Sequence, residues 1–200
     1  MATNITAIEN PEASETLAQL RNQTLPPATV RKLIASLTTT LTKHVLKPQA
    51  EGEQIAVIVI LRSGLAMADS FLNALPNDAD TVTYHIGLFR DKESLRPVEY
   101  YNKLPMKSPK IKRAYVLDPL VATGGTAKAA IHILRDWGIE QITLFSLLGS
   151  KEGLEKVAGV WPEATEIFVA AVDDQLDERG YVKPGLGDIG DRLYGTRIAG

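Results

Sequence analysis

Residues 115–134 read YVLDPLVATGGTAKAAIHIL and join three kinds of segment. The apolar YVL is typical of a buried strand, and KAAIHIL, residues 128–134, has the composition of a helix. An acid, a proline and a glycine pair lie between them. The stretch therefore predicts a strand that passes into a helix through a tight turn, with Asp118 at the carboxyl end of the strand.

The same strand, turn and helix pattern occurs on both sides of this stretch. Residues 55–61 form a continuous apolar run that is followed by helically spaced leucines and alanines. Residues 141–149, QITLFSLLG, precede a helical KEGLEKVAGVWP and a further strand, TEIFVAAV. Apolar strands that alternate with helices are typical of a parallel sheet covered by helices. We therefore predict an α/β fold with a central, mostly parallel sheet flanked by helices.

The flanks of this region have their own patterns. Asn10 caps a predicted helix that runs from Pro11 to Arg21, and Pro26 and Pro27 open a second helix that ends near Val45. Residues 81–89, TVTYHIGLF, alternate like a strand, and the polar segment after them is a loop or a hairpin. We predict one domain over residues 1–200, with N-terminal helices in 1–50 and a glycine-bearing loop in 173–200.

Composition excludes several classes of function. The chain has 200 residues, a net charge of -2 and no cysteine. It therefore lacks the basic character of nucleic-acid binders and the thiols of disulfide or thiolate metal sites. Its apolar runs are far shorter than the roughly 20 residues of a membrane helix, and its N-terminus resembles no targeting segment. We expect a soluble, cytoplasmic protein that binds neither nucleic acid nor membrane.

The turn between strand and helix has the chemistry of a sugar phosphate site. A helix that begins near Thr126 offers free backbone N–H groups to an anion, and glycines let the backbone approach it closely. Thr123 and Thr126 add hydroxyl donors, and Asp118 can accept hydrogen bonds from sugar hydroxyls. A simple tight turn beside a solvated acid is the alternative. Neither a Walker loop nor a GxGxxG fingerprint is present.

Four motifs resemble one known family. VLDPLVATGGT, residues 116–126, is similar to the 5-phosphoribosyl-1-pyrophosphate motif of uracil phosphoribosyltransferases, a branch of the type I phosphoribosyltransferases. ILRSGLAM (60–67), IGLFRDKESLRPVEYYNKLP (86–105) and GYVKPGLGDIGDRLYGT (180–196) resemble further family motifs in the same order. They span roughly two thirds of the chain. The resemblance implies the type I fold with a C-terminal base-binding hood.

The resemblance also implies an activity, the transfer of a ribosyl phosphate from 5-phosphoribosyl-1-pyrophosphate, the ribosyl donor, to uracil. The products would be uridine monophosphate and pyrophosphate. The residues that it implies for catalysis are Asp118, Arg62, Arg90 and Asp188. Those for donor binding are Arg62, Arg90, Asp118, Pro119, Leu120, Val121, Ala122, Thr123, Gly124, Gly125, Thr126 and Asp188, and those for uracil binding are Tyr181, Val182, Gly187, Asp188 and Ile189.

The resemblance further implies magnesium, held mainly by substrate oxygens rather than by a protein cage. His44, His85 and His132 share no ligand-like spacing. A homo-oligomer, a dimer, is expected, and a GTP effector is left open. A non-catalytic nucleotide-binding regulator of the same fold is the alternative function. Transfer to another base, such as a purine, is a third reading, which Pro119 and the GYVKPGLGD motif disfavour.

Overall fold

The computed structural model describes residues 2–91 and 96–196, without the side chain of Arg90. It contains strands and helices in the alternation that the sequence predicts. The strands are β1 (Ile5–Ala7), β2 (Gln54–Leu61), β3 (Thr81–Arg90), β4 (Pro97–Asn102), β5 (Ile111–Leu117), β6 (Leu120–Val121), β7 (Gln141–Ser150), β8 (Thr165–Asp173), β9 (Gln175–Leu176) and β10 (Val182–Lys183). The helices are α1 (Pro11–Leu20), α2 (Pro27–Val45), α3 (Leu65–Asn73), α4 (Gly125–Trp137), α5 (Lys151–Ala158) and α6 (Ile189–Tyr194).

The main sheet has the strand order β1-β8-β7-β5-β2-β3-β4, and β6 extends along β7. All of these pairings are parallel except that of β3 with the edge strand β4. The predicted α/β fold with a mostly parallel sheet is confirmed. The strand order reverses between β2 and β5. Open α/β sheets bind ligands in the crevice outside the carboxyl ends of the strands at such a reversal.

Both faces of the sheet are covered. In β2, Val57 and Val59 face the core layer that contains α1, α2, α3 and α6, whereas Ile58 and Ile60 face the layer that contains α4 and α5. All four side chains are at most 2% exposed. Burial on both faces is why β2 is a continuous apolar run rather than an alternating one.

The predicted cap at Asn10 and the predicted starts of α1 and α2 are also confirmed. The Asn10 side chain accepts a hydrogen bond from the Ala13 N–H, which caps α1. Gly138 ends α4 in the left-handed conformation, with φ at 95°. Within residues 2–91 and 96–196, every helix is too short or too polar to span a lipid bilayer.

Two features differ from the sequence prediction. The short strand β1 pairs with β8 in the segment for which only helices are predicted. The segment 173–200, predicted as a loop, contains β9, β10 and α6. The polar segment after β3, for which a loop or a hairpin is predicted, forms a hairpin, since β4 pairs antiparallel with β3. Each of these elements is short or exposed, so its sequence carries little hydrophobic periodicity.

Candidate active site

A cleft of about 450 Å³ lies over the carboxyl ends of β2 and β5, where the strand order reverses. Segments from four parts of the chain meet there, and most of them carry predicted site residues. The cleft is lined by residues 60–63, 88–89, 118, 120–127, 180–181 and 187–191. The structure therefore brings together residues that are far apart in the sequence.

Residues 122–126, the cradle, connect β6 to α4. Gly124 caps α4 in the left-handed conformation with φ at 78°, and no described side chain caps this helix end. A Cβ at Gly124 would lie 2.7 Å from the Gly153 carbonyl oxygen, so only glycine fits. Gly124, Gly125 and Thr126 line the cleft, so the uncapped amino-terminal end of α4, where the helix dipole is positive, lies at its wall. Such a helix end favours an anion.

The cradle packs on the start of α5, a support that is not evident from the sequence. Ser150 caps α5 by accepting from the Gly153 N–H at 2.8 Å, and its hydroxyl donates to the Ala122 carbonyl at 2.6 Å. A Cβ at Gly153 would lie 2.0 Å from that same carbonyl oxygen. The available signal was a serine between an apolar strand and a helical segment, a position typical of a helix cap.

Asp118 is the buried acid of the cleft. It follows β5 directly and is only 5% exposed. Burial raises the pKa of its carboxyl group to about 7, although hydrogen bonds from the Leu120 N–H and the Ser63 hydroxyl act in the opposite direction. The Ser63 hydroxyl lies 3.4 Å from Oδ1. A carboxyl group with this pKa changes charge near neutral pH, which is common at functional sites.

Arg62 stands at the rim of the cleft, at the end of β2. Its Nη2 lies 3.2 Å from Asp191 Oδ1, and its Nη1 donates to the Thr196 hydroxyl at 3.3 Å. The guanidinium also lies over the Tyr194 ring, 5.8 Å from its centroid. The Arg62 side chain is 51% exposed. These contacts tie the arginine to α6 while leaving it accessible to an anion in the cleft.

The segment 180–191 forms the opposite wall. Tyr181, Gly187, Asp188 and Ile189 all line the cleft. The Asp188 side chain caps α6 by accepting from the Asp191 N–H at 3.0 Å.

Val182 and Pro119 do not line the cleft. The Val182 side chain is 4% exposed and packs in the core. Arg90 ends β3, and its side chain lies outside the described part of the structure. Every other predicted site residue lies in the cleft wall.

Similarity to known proteins agrees with this architecture. A family model described as uracil phosphoribosyltransferase matches residues 46–196. The chain belongs to the uracil phosphoribosyltransferase family. The resemblance carried by the four motifs is thereby confirmed, and with it the type I phosphoribosyltransferase fold class.

The similarity to individual family members extends over nearly the whole chain. The chain is 42% identical over 193 residues to the putative uracil phosphoribosyltransferase urg2 of Schizosaccharomyces pombe, covering 96% of this chain and 91% of that protein. It is 37% identical to the uracil phosphoribosyltransferase of Thermus thermophilus, covering 96% and 99% of the two. The solved structure of the AQ2163 protein from Aquifex aeolicus matches with a TM-score of 0.87 and 29% identity, covering 97% and 99%.

Proposed function

We propose that the protein transfers a ribosyl phosphate from 5-phosphoribosyl-1-pyrophosphate to uracil in pyrimidine salvage, forming uridine monophosphate and pyrophosphate. The observation that carries the proposal is the cleft itself. In a member of the uracil phosphoribosyltransferase family, one cleft joins an anion-binding helix end, a buried acid, an exposed arginine and a glycine-bearing wall. Each of these features suits one part of the two substrates.

The 5-phosphate of the donor fits the cradle. Its oxygens would accept hydrogen bonds from the backbone N–H groups at residues 124–126, assisted by the hydroxyls of Thr123 and Thr126. A Cβ at Gly125 would make only ordinary van der Waals contacts, 3.7 Å from Pro97 and 3.8 Å from the Thr123 hydroxyl. Leu120 and Val121 lead into the cradle as β6, which fixes the cradle against β7.

Asp118 would accept hydrogen bonds from the ribose hydroxyls. As a carboxylate it is an acceptor only, which matches two neighbouring hydroxyl donors. Its burial strengthens these interactions, because the local dielectric constant is low. Ribose binding therefore favours the ionised form of Asp118 over the protonated form that burial favours in the free protein.

Departure of pyrophosphate is the step in which charge develops. The bond from the anomeric carbon to the pyrophosphate oxygen breaks with both electrons staying on the oxygen, and the carbon becomes cation-like. Fixed cationic groups near the departing anion stabilise this separation. Arg62 at the rim supplies one such group, and Arg90 is proposed as a second.

Magnesium fits this site only through the substrate. Within residues 2–91 and 96–196, no three acid, histidine or cysteine side chains converge as metal ligands. The pyrophosphate and ribose oxygens of the donor would therefore supply most of its ligands. When bound, the ion neutralises charge on the leaving pyrophosphate.

Uracil fits against the wall formed by residues 180–181 and 187–189. Its two carbonyl groups and one N3–H match backbone N–H and C=O groups. Val182 would contribute through its backbone, since its side chain is in the core. Cytosine carries an amine in place of one carbonyl group. That amine, a hydrogen-bond donor, would face a backbone N–H that is also a donor. The uracil N1 attacks the anomeric carbon and loses its proton, and Asp188 is the candidate acceptor.

Self-association into a dimer is part of the proposal. The β3–β4 hairpin presents exposed apolar side chains, namely Phe89, Val98, Tyr100 and Tyr101. Every described residue of β4 is exposed. Exposed aromatic groups in one area are typical of protein interfaces.

Whether GTP acts as an effector is tested by adding it to the assay below.

The non-catalytic regulator remains the second candidate from the sequence analysis. Asp118, Arg62 and Asp188 are all present and line one cleft, which favours the enzyme. The test is a magnesium-dependent assay of the purified protein with the ribosyl donor and each of uracil, cytosine, hypoxanthine and adenine. We expect uridine monophosphate from uracil alone. Donor binding by the folded protein without a nucleotide product from any base would contradict the enzyme and favour the regulator.

A further inference from the structure

Residues 182–187, the base loop, lead into the cleft wall and are held from behind by a charged pair. Arg21 follows α1, and Asp173 ends β8. The guanidinium of Arg21 donates to both carboxylate oxygens of Asp173 at 2.8 Å, and it also donates to the Gly185 carbonyl at 3.2 Å. A bidentate arginine–carboxylate pair fixes the relative orientation of the two side chains as well as the distance between them.

Asp173 also binds Gly185, through the backbone N–H of that residue. Its Oδ2 accepts from the Gly185 N–H at 2.9 Å. The carboxylate is 7% exposed. Burial acts to raise the pKa of Asp173, but the hydrogen bonds from Arg21 and Gly185 outweigh it and lower the pKa. Both backbone groups of one loop residue are thus bound to a single ion pair.

A second arginine holds the next residue of the loop. Arg192 in α6 is 3% exposed, and it donates to the Leu186 carbonyl at 2.6 Å and to the Asn22 carbonyl at 2.7 Å. Asn22 is adjacent to Arg21. Hydrogen bonds therefore join the segment after α1 to the base loop at two successive residues of each. Arg21 binds Gly185 directly, and Arg192 bridges Asn22 and Leu186. A Cβ at Gly187 would lie 3.1 Å from the Gln23 side chain, so this connection also backs the cleft wall.

The base loop has little room to adopt another conformation. Gly185 has φ at 57°, and a Cβ there would lie 1.9 Å from the Val182 carbonyl oxygen. Leu186 is fully buried. Gly187, which lines the cleft, follows immediately. A displacement of the loop at Gly185 or Leu186 would therefore move the backbone against which the base is proposed to bind.

We propose that Arg21, Asp173 and Arg192 are positioning residues for base recognition. None of them lines the cleft, so they act through the base loop. The inference rests on the proposed function. Uracil is small and is recognised by a few hydrogen bonds, so the backbone groups that make them must stand at fixed positions. The three residues supply that fixed position and so determine affinity for the base rather than for the ribosyl donor.

The experiment compares Arg21→Lys and Asp173→Asn with a matched control, Arg113→Lys. Arg113 makes an equivalent pair with Glu53, at 2.7 and 2.8 Å, and also donates to a backbone carbonyl. This pair lies at the amino-terminal ends of β2 and β5, away from the cleft. The KM for uracil, the KM for the donor and the ratio of uracil to cytosine use are measured for each protein.

We expect the KM for uracil to rise by about 10- to 100-fold in both test variants, as for a misplaced binding group. The KM for the donor should stay within about twofold of wild type, and discrimination against cytosine should fall. Arg113→Lys should lose comparable thermal stability with unchanged KM values. If a test variant does not fold, Arg192→Lys takes its place.

Active variants with a wild-type KM for uracil, or equal increases in both KM values, would overturn the inference alone. A control that shifts the KM for uracil as much as the test variants would do the same. Wild-type protein that makes no uridine monophosphate would instead overturn the proposed function, and this inference with it.

Discussion

The cradle and the base loop are built in opposite ways. The cradle follows β5 and β6 and opens α4, so its form comes largely from adjacent residues. Its main outside support is the start of α5, 28 residues away. The base loop is held by Arg21, which is 164 residues from Gly185 in the sequence. One half of the cleft is therefore local, and the other depends on the whole fold.

This difference has a functional consequence. The 5-phosphate and ribose of the donor would bind to the local half, and the base would bind to the half that distant residues assemble. Damage to either half should then affect one substrate more than the other. The following substitutions test that separation, from the largest expected effect to the smallest.

Asp118→Asn should have the largest effect. It removes the acceptor charge that faces the ribose, and we expect kcat/KM for the donor to fall by roughly 100- to 1,000-fold, as for other groups that stabilise charge in a transition state. The KM for uracil should change little. Steady-state kinetics with each substrate varied in turn measures both.

The pH profile tests the same residue. Burial raises the pKa of Asp118 to about 7, so kcat/KM for the donor should fall as pH drops below that value. The stability that Asp118 contributes is present below a pH of about 4 and is lost as pH rises through its folded pKa. The melting temperature of Asp118→Asn relative to wild type should therefore increase from pH 5 to pH 8. A constant difference in melting temperature would contradict the raised pKa.

Gly153→Ala should displace the cradle, because Gly153 packs against the Ala122 carbonyl group. The new Cβ would lie 2.0 Å from the Ala122 carbonyl oxygen, so the cradle must move. We expect the KM for the donor to rise by about 100-fold, as for a shift of roughly 1 Å in a binding group. Gly159→Ala is the control at the other end of α5, where the nearest atom is 3.6 Å from the new Cβ. Equal effects of the two substitutions would contradict this role of Gly153.

Gly185→Ala should have a smaller effect, confined to the base. Its Cβ would lie 1.9 Å from the Val182 carbonyl oxygen at a positive φ. We expect the KM for uracil to rise by about tenfold, with the KM for the donor unchanged. Gly52→Ala introduces the same kind of backbone strain at φ of 72° but with no atom within 4 Å. If Gly52→Ala raised the KM for uracil equally, loss of stability would explain the result.

Ser63→Ala should have the smallest effect. The Ser63 hydroxyl lowers the pKa of Asp118, so its removal should move the acidic limb of the kcat/KM profile to higher pH. The rate at high pH should remain close to that of wild type. A shift toward lower pH would contradict the proposed contact.

The local half of the cleft could be predicted from the sequence because the residues that indicate its structure are contiguous. The apolar run of β5, Asp118, the glycine pair and the start of α4 follow one another, and each restricts the next. The cap at Asn10 and the helix end at Gly138 are equally local.

The half of the cleft that contains the base loop could be predicted only by resemblance to a family. Nothing near Arg21 in the sequence indicates a partner at Asp173, since such a pair depends on tertiary folding. The short strand β1 and the six-residue helix α6 carry too few residues for a periodic signal. Ser150 resembles any helix cap until α5 is seen to lie behind the cradle.

A crystal structure of the protein with uridine monophosphate tests the two-part cleft most directly. We expect the 5′-phosphate on the backbone N–H groups of residues 124–126, the ribose hydroxyls at Asp118 and the uracil ring against residues 187–189. A nucleotide bound outside this cleft, or bound in it with the base at the cradle, would contradict the account.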